Sequence, residues 1–383
     1  MAHLPEPTPE ALIHSQQLAN LIQAEIENNH NWISFARYME LALYAPGLGY
    51  YSAGASKFGH SGDFVTAPEI SSLFGRTLAR QVSQILRMTD GDILETGAGT
   101  GALAFQLLSE LAKLNSLPSH YYILEVSADL QERQRSYLQQ KLPYLVDRVE
   151  WLNQLPSAFS GVILGNEVLD AMPVHLVAWR ENGLYERGVT LQNNRFAWRE
   201  HPLTTGRLFE TVSKLIVPNG YVSEINLAAQ GFIASLAQIL QQGIILMIDY
   251  GFGESEYYHP QRSEGTLMCH YRHHAHAEPF YLPGLQDITA HVDFSAIALA
   301  GISNGLQLLG YTTQASFLIN SGITDVLSET SPENASIYLP LANQAQKLLS
   351  PSEMGELFKV IALGKNISDR LIGFTMGDKS RLL

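Results

Sequence analysis

Short apolar runs alternate along this chain with longer segments whose apolar positions recur every three or four residues, the pattern of a parallel sheet covered by helices on both faces. The predicted strands are residues 92–95, 122–126, 149–152, 161–165 and 244–249, followed by a last pair at ASFLIN, 315–320, and LFKVIALGK, 357–365. Ahead of the first strand, a helix over 71–87 puts Leu73, Phe74, Leu78, Val82, Ile85 and Leu86 on one apolar stripe, which reads as core. Residues 1–68, 174–225 and 251–295 do not fit a minimal sheet. The middle segment alternates polar with apolar around Asn182-Gly183 and Asn193-Asn194, so it predicts β-hairpins in a smaller lobe. The expected fold is therefore α/β. A Rossmann-like sheet over 69–173 and 226–365 carries an N-terminal helical extension over 1–68, inserted segments at 174–225 and 251–295, and a C-terminal tail at 366–383.

At 383 residues and 46% hydrophobic content the chain can bury a large core. Its net charge of −13 argues against a nucleic-acid partner, which needs a basic footprint, and suits a cationic substrate. The single Cys269 excludes an internal disulfide and a cysteine-rich metal site. No apolar run approaches the roughly 20 residues that span a bilayer, and the N-terminus shows neither a signal nor a transit pattern. A cytoplasmic protein with no membrane insertion is expected.

Chemistry concentrates first in DILETGAGTGAL, 92–103, where a strand runs into Gly97, Gly99 and Gly101 ahead of a helix. Glycines there let a ligand lie against bare backbone. The spacing of Gly97, Gly99 and Ala102 satisfies a dinucleotide fingerprint, so a nicotinamide oxidoreductase is one reading. S-adenosylmethionine is the other. Glu95 would suit the ammonium of a methionine moiety better than a pyrophosphate, and Gly101 stands where a dinucleotide loop fixes no glycine. Glu125, near the end of the next strand, is placed to accept both hydroxyls of a ribose, or else to sit as an N-terminal charge on a helix capped by Ser127.

The fourth strand ends in GNEVLDAMPVH, which brings Asn166, Glu167 and Asp170 to the carboxyl edge of the sheet. Acids three apart can grip two edges of a guanidinium. Spacing alone equally allows Asp170 to cap a turn and Glu167 to be a surface charge. Upstream, GHSGDFVTAPEIS reads as a loop in which Asp63 and Glu69 either face the ligands or serve the turn and the helix dipole. IDYGF puts Asp249 and Tyr250 at the sheet edge. Histidines 270, 273, 274 and 276 are too irregularly spaced for a zinc site, so no metal is expected; their loop faces substrate or is polar surface. In QDITAHVDF, Thr289 is a candidate N-cap for a helix beginning near Asp293. Asp293 reads as a capping residue too, and Asp287 is the better candidate for touching substrate.

Taken together, ISFARYMELALYAPGLGYY (33–51), GDFVTAPEISSLFG (62–75), ETGAGTG, GNEVLDAMPVH, IDYG and PGLQDITAHVDF (283–294) resemble the MidA family, in order and over nearly the whole chain. That family comprises protein arginine methyltransferases known as assembly factors for respiratory complex I. Thr96 and Ala98 depart from its usual residues, and the missing presequence points to a bacterial member with its own target. The resemblance implies a class I methyltransferase sheet, S-adenosyl-L-methionine as cofactor, and a protein substrate carrying the target arginine. On this reading the residues expected to hold the cofactor are Glu69, Glu95, Gly97, Gly99, Gly101, Glu125, Trp151 and Asn166, Trp151 bordering the adenine, while Glu167, Asp170 and Asp287 serve the acceptor. A non-catalytic assembly chaperone with the same fold is the alternative. The oligomeric state stays open, a homodimer included.

Overall fold

The computed structural model describes residues 4–52 and 66–383. The chain divides into two compact units. One comprises residues 1–64, 170–229 and 254–292, the other residues 65–169, 230–253 and 293–383.

The second unit holds the sheet. Along its main path the strands are β1 (Asp92–Thr96), β2 (Tyr121–Leu124), β3 (Val149–Leu152), β4 (Phe159–Asn166), β5 (Leu240–Phe252), β6 (Gln307–Thr313) and β7 (Phe358–Lys365), in the spatial order β6-β7-β5-β4-β1-β2-β3, and the two-residue strand Val292–Asp293 pairs with β5 off that path. Neighbours from β5 through β3 are parallel, and β7 runs antiparallel between β5 and β6. The order reverses between β1 and β4, so the carboxyl ends of those two strands form the crevice where open α/β sheets bind ligands. Helix α1 (Ser72–Thr89) is capped by Ser71, whose Oγ accepts from the Leu73 amide, and its predicted stripe is buried. Helices α2 (Ala102–Lys113) and α3 (Ala128–Lys141) follow β1 and β2, with Ser127 capping α3 as anticipated.

Two expectations fail here. Residues 315–320 are not a strand. They lie in a helix, Gln314–Asn320, started by Thr313 accepting from the Ser316 amide, and the strand is the preceding QLLGYTT. A short apolar run does not distinguish the two states, and the Thr313 cap decides. The second strand also ends at Leu124, leaving Val126 78% exposed.

The other unit is built from helices Pro9–Asn28 and Phe35–Tyr44 and two antiparallel sheets. In the larger, His175–Arg180, Gly183–Gln192 and Arg195–Pro202 form consecutive hairpins. The second turns on Asn193 and Asn194, both at positive φ, which asparagine tolerates. The smaller sheet pairs Met268–Tyr271 with His274–His276 on one side and Asp287–Thr289 on the other. Thr289 therefore sits in a strand and caps nothing. The cap of helix Phe294–Ser303 is Asp293, whose Oδ1 accepts from the Ser295 and Ala296 amides. A carboxylate two residues ahead of the first free amides reaches them; Thr289 is too far back along an extended chain. Among the described residues no helix is long and apolar enough to cross a membrane.

Candidate active site

Gly97, Gly99 and Gly101 all take positive φ (67°, 52° and 84°), a conformation that other residues rarely adopt, and it turns the chain from β1 into α2. A Cβ at Gly97 would press on Val168 Cγ2 at 2.9 Å, whereas one at Gly99 would meet nothing within 4 Å among the described residues. The loop thus leaves open space over bare backbone at Gly99. That is the cradle a cofactor needs.

Around it the polar groups are tied together by one buried side chain that sequence reasoning missed. Gln134, fully buried on α3, donates from Nε2 to the Gly99 carbonyl at 2.9 Å and to Glu125 Oε2 at 3.3 Å. Its Oε1 accepts from Trp151 Nε1 at 2.9 Å. Glycine loop, acidic β2 end and indole are therefore fixed in one arrangement. The only signal was a glutamine among several polar residues of α3, which nothing distinguishes by spacing. Glu125 also accepts from the Ser127 amide at 2.9 Å, and burial raises its pKa. Arg135 lies over the Trp151 ring, 4.8 Å from its centroid.

Glu95 is 3% exposed and accepts from the Tyr121 hydroxyl at 2.7 Å. Burial pushes its pKa up to about 7, against the lowering pull of Tyr121. A native state that holds this proton more tightly than the unfolded chain loses stability as pH climbs from about 4.5 to 7, by on the order of 3 kcal/mol at the upper limit. Thermal melts of the wild type and Glu95→Gln across pH 5–8 should diverge over that window, the wild type falling relative to the variant. Parallel curves would show that Glu95 titrates normally.

At the end of β4, Glu167 takes a strained φ of 53°. The turn is held by Asp249, 1% exposed at the end of β5, whose Oδ2 accepts from the Val168 and Leu169 amides at 3.2 and 2.9 Å. Asp249 was visible as a sheet-edge acid but not as this clamp. Glu167 Oε1 accepts from Asn166 Nδ2 at 3.0 Å and from the Ala67 amide at 3.3 Å. That amide opens the short helix Ala67–Ile70, which also carries the half-buried Glu69. Asp63 lies outside the described residues.

Asp170 and Asp287 belong to the other unit, the chain crossing into it directly after Leu169. Asp287 accepts from the Tyr51 hydroxyl at 2.9 Å. Three of the four histidines, 270, 274 and 276, lie in the paired strands and His273 in their turn. Among the described residues no group of three or more metal-binding side chains is gathered.

With this geometry in view, a family model described as "Putative S-adenosyl-L-methionine-dependent methyltransferase" matches residues 74–312. A protein of Burkholderia thailandensis crystallised with S-adenosyl-homocysteine is 51% identical, with full coverage of both chains and a TM-score of 0.97. The chain belongs to the MidA family of S-adenosylmethionine-dependent methyltransferases. Its cofactor is S-adenosylmethionine, and the nicotinamide alternative falls with that. The methyltransferase is also similar to "Protein arginine methyltransferase NDUFAF7, mitochondrial" of Danio rerio, 29% identical over 86% of this chain and 83% of the relative. The Drosophila melanogaster homologue is 28% identical over 94% and 87%.

Proposed function

We propose that the methyltransferase modifies arginine in a protein partner of the respiratory-complex type. The observation that carries this is the acidic turn leaving β4, where Glu167 and Asp170 stand three residues apart directly after the strand that flanks the glycine loop. The names of the NDUFAF7 relatives support the same acceptor.

In this reading Gly97, Gly99 and Gly101 seat the cofactor, Glu95 serves its amino-acid end directly or through water, Glu125 its ribose, and Trp151 its adenine; Asn166 and Glu69 complete the cradle. The buried acceptors and the open backbone at Gly99 fit such a ligand. When bound it supplies an electrophilic sulfonium methyl. Glu167 and Asp170, three residues apart along the chain, hold two edges of the guanidinium so that one nitrogen is aligned for in-line displacement. That nitrogen gains a bond to carbon as the sulfur–carbon bond breaks, the thioether S-adenosylhomocysteine leaves, and the proton of that nitrogen passes to solvent.

The ribose assignment has its own test. Glu125→Ala removes an acceptor for two hydroxyls and should weaken S-adenosylhomocysteine binding at least tenfold, about 1.4 kcal/mol, by calorimetry. Unchanged affinity would return Glu125 to the task of bracing Ser127 and Gln134. The acceptor is tested by mass spectrometry of respiratory-complex subunits co-expressed with the enzyme. Methylarginine is expected; methyl groups on lysine or glutamine instead would refute the substrate class.

A further inference from the structure

Within the hairpin-containing unit, three stretches of chain are stitched around Tyr51. Its hydroxyl donates to Asp287, which is 1% exposed, and its ring stacks on Tyr44 with centroids 5.4 Å apart and planes at 23°. Tyr44 donates from its own hydroxyl to the Ala171 carbonyl at 3.0 Å, and the Ala290 amide donates to the Asp170 carbonyl at 3.0 Å. Asp170, 5% exposed, is thereby fixed beside the strand that carries Asp287. Burial, then Asp287, Tyr44 and Asp170, hold the Tyr51 hydroxyl protonated well above its ordinary range. It is a donor only.

Thr289 supplies an independent observation. Two residues from Asp287 on one strand, it points to the same face, while Ile288 between them enters the apolar core. Its Oγ1 is buried, the residue being 3% exposed, and has no hydrogen-bond partner among the described residues. A buried hydroxyl without a partner is costly, and a bound donor would satisfy it. Two buried carboxylates, an acceptor hydroxyl and a pair of stacked half-buried tyrosines match a flat cation with several N–H donors. A guanidinium uses all of them; an ammonium offers charge without the plane.

We propose that Tyr44, Tyr51, Asp287 and Thr289 join Asp170 in the acceptor site and receive the guanidinium of the target arginine against the Tyr44–Tyr51 pair, with Tyr51 acting as a positioning residue through Asp287. This rests on the arginine reading above. It is tested by NMR titration of the enzyme saturated with S-adenosylhomocysteine, using Nα-acetyl-arginine methylamide and its lysine counterpart as probes. Saturable binding of the arginine probe is expected in the wild type, at least tenfold weaker in Tyr44→Leu, Tyr51→Phe and Thr289→Val. S-adenosylhomocysteine affinity and melting temperature serve as folding controls, and the last two variants alter only one or a few atoms should Tyr44→Leu fail to fold. No saturable binding to the wild type, or wild-type binding by the folded variants, overturns the pocket. Equal binding of the lysine probe, lost in the same variants, keeps a cation pocket but overturns the guanidinium assignment and the arginine reading with it.

Discussion

Gly99→Val is expected to reduce S-adenosylhomocysteine affinity at least 100-fold, about 2.8 kcal/mol, while leaving the sheet folded. A Cβ at this position meets no atom of the described residues within 4 Å, so the first added carbon creates no clash with them. The added branches occupy the space over the loop backbone that the cofactor needs. A second contribution comes from φ, +52°, where a β-branched residue is strained by roughly 1–3 kcal/mol. Gly99→Asn separates the two effects, because asparagine tolerates this conformation and still puts a side chain into the cradle. Calorimetry on both variants, with thermal melts as the control, should show the affinity lost in each and the melting temperature lowered mainly in the valine variant. Wild-type affinity in Gly99→Asn would mean that the ligand does not lie over Gly99.

The contrast between Gly99 and Gln134 shows what a sequence can reveal. Gly99 belongs to a motif whose function depends on having no side chain, so it is visible by residue type and spacing. Gln134 acts through three partners, Gly99, Glu125 and Trp151, that are 35, 9 and 17 residues away along the chain. Only the folded sheet brings them together. The parallel strands were legible because a strand buried on both faces must be a continuous apolar run. Residues 315–320 satisfy the same condition as a short buried helix, and there the Thr313 cap was the missed signal. Asp249 was placed at the correct sheet edge from the IDYG stretch. Its grip on the Val168 and Leu169 amides depends on the pairing of β5 with β4, which local pattern does not encode.

That grip bears on the largest catalytic effect expected. Glu167→Gln and Asp170→Asn should each leave S-adenosylhomocysteine affinity within a few-fold of wild type and lower methyl transfer to an arginine-containing protein at least 100-fold. The amides keep the shape of the acids and lose the charge that holds a guanidinium, and the charge is needed more as the nitrogen attacks than for cofactor binding. Glu167→Gln is also the milder structural change, since a glutamine carbonyl can still accept from Asn166 and the Ala67 amide, as Glu167 does now. Replacing the target arginine by lysine should abolish transfer as well, because an ammonium lacks the two-edged plane. The measurement is mass spectrometry of a partner co-expressed with wild type or variant, paired with calorimetry of the purified enzyme. Equal arginine methylation by wild type and both variants would refute the carboxylate grip. Loss of cofactor affinity in parallel with activity would instead assign Glu167 to the cofactor, where its neighbour Asn166 is already proposed to act.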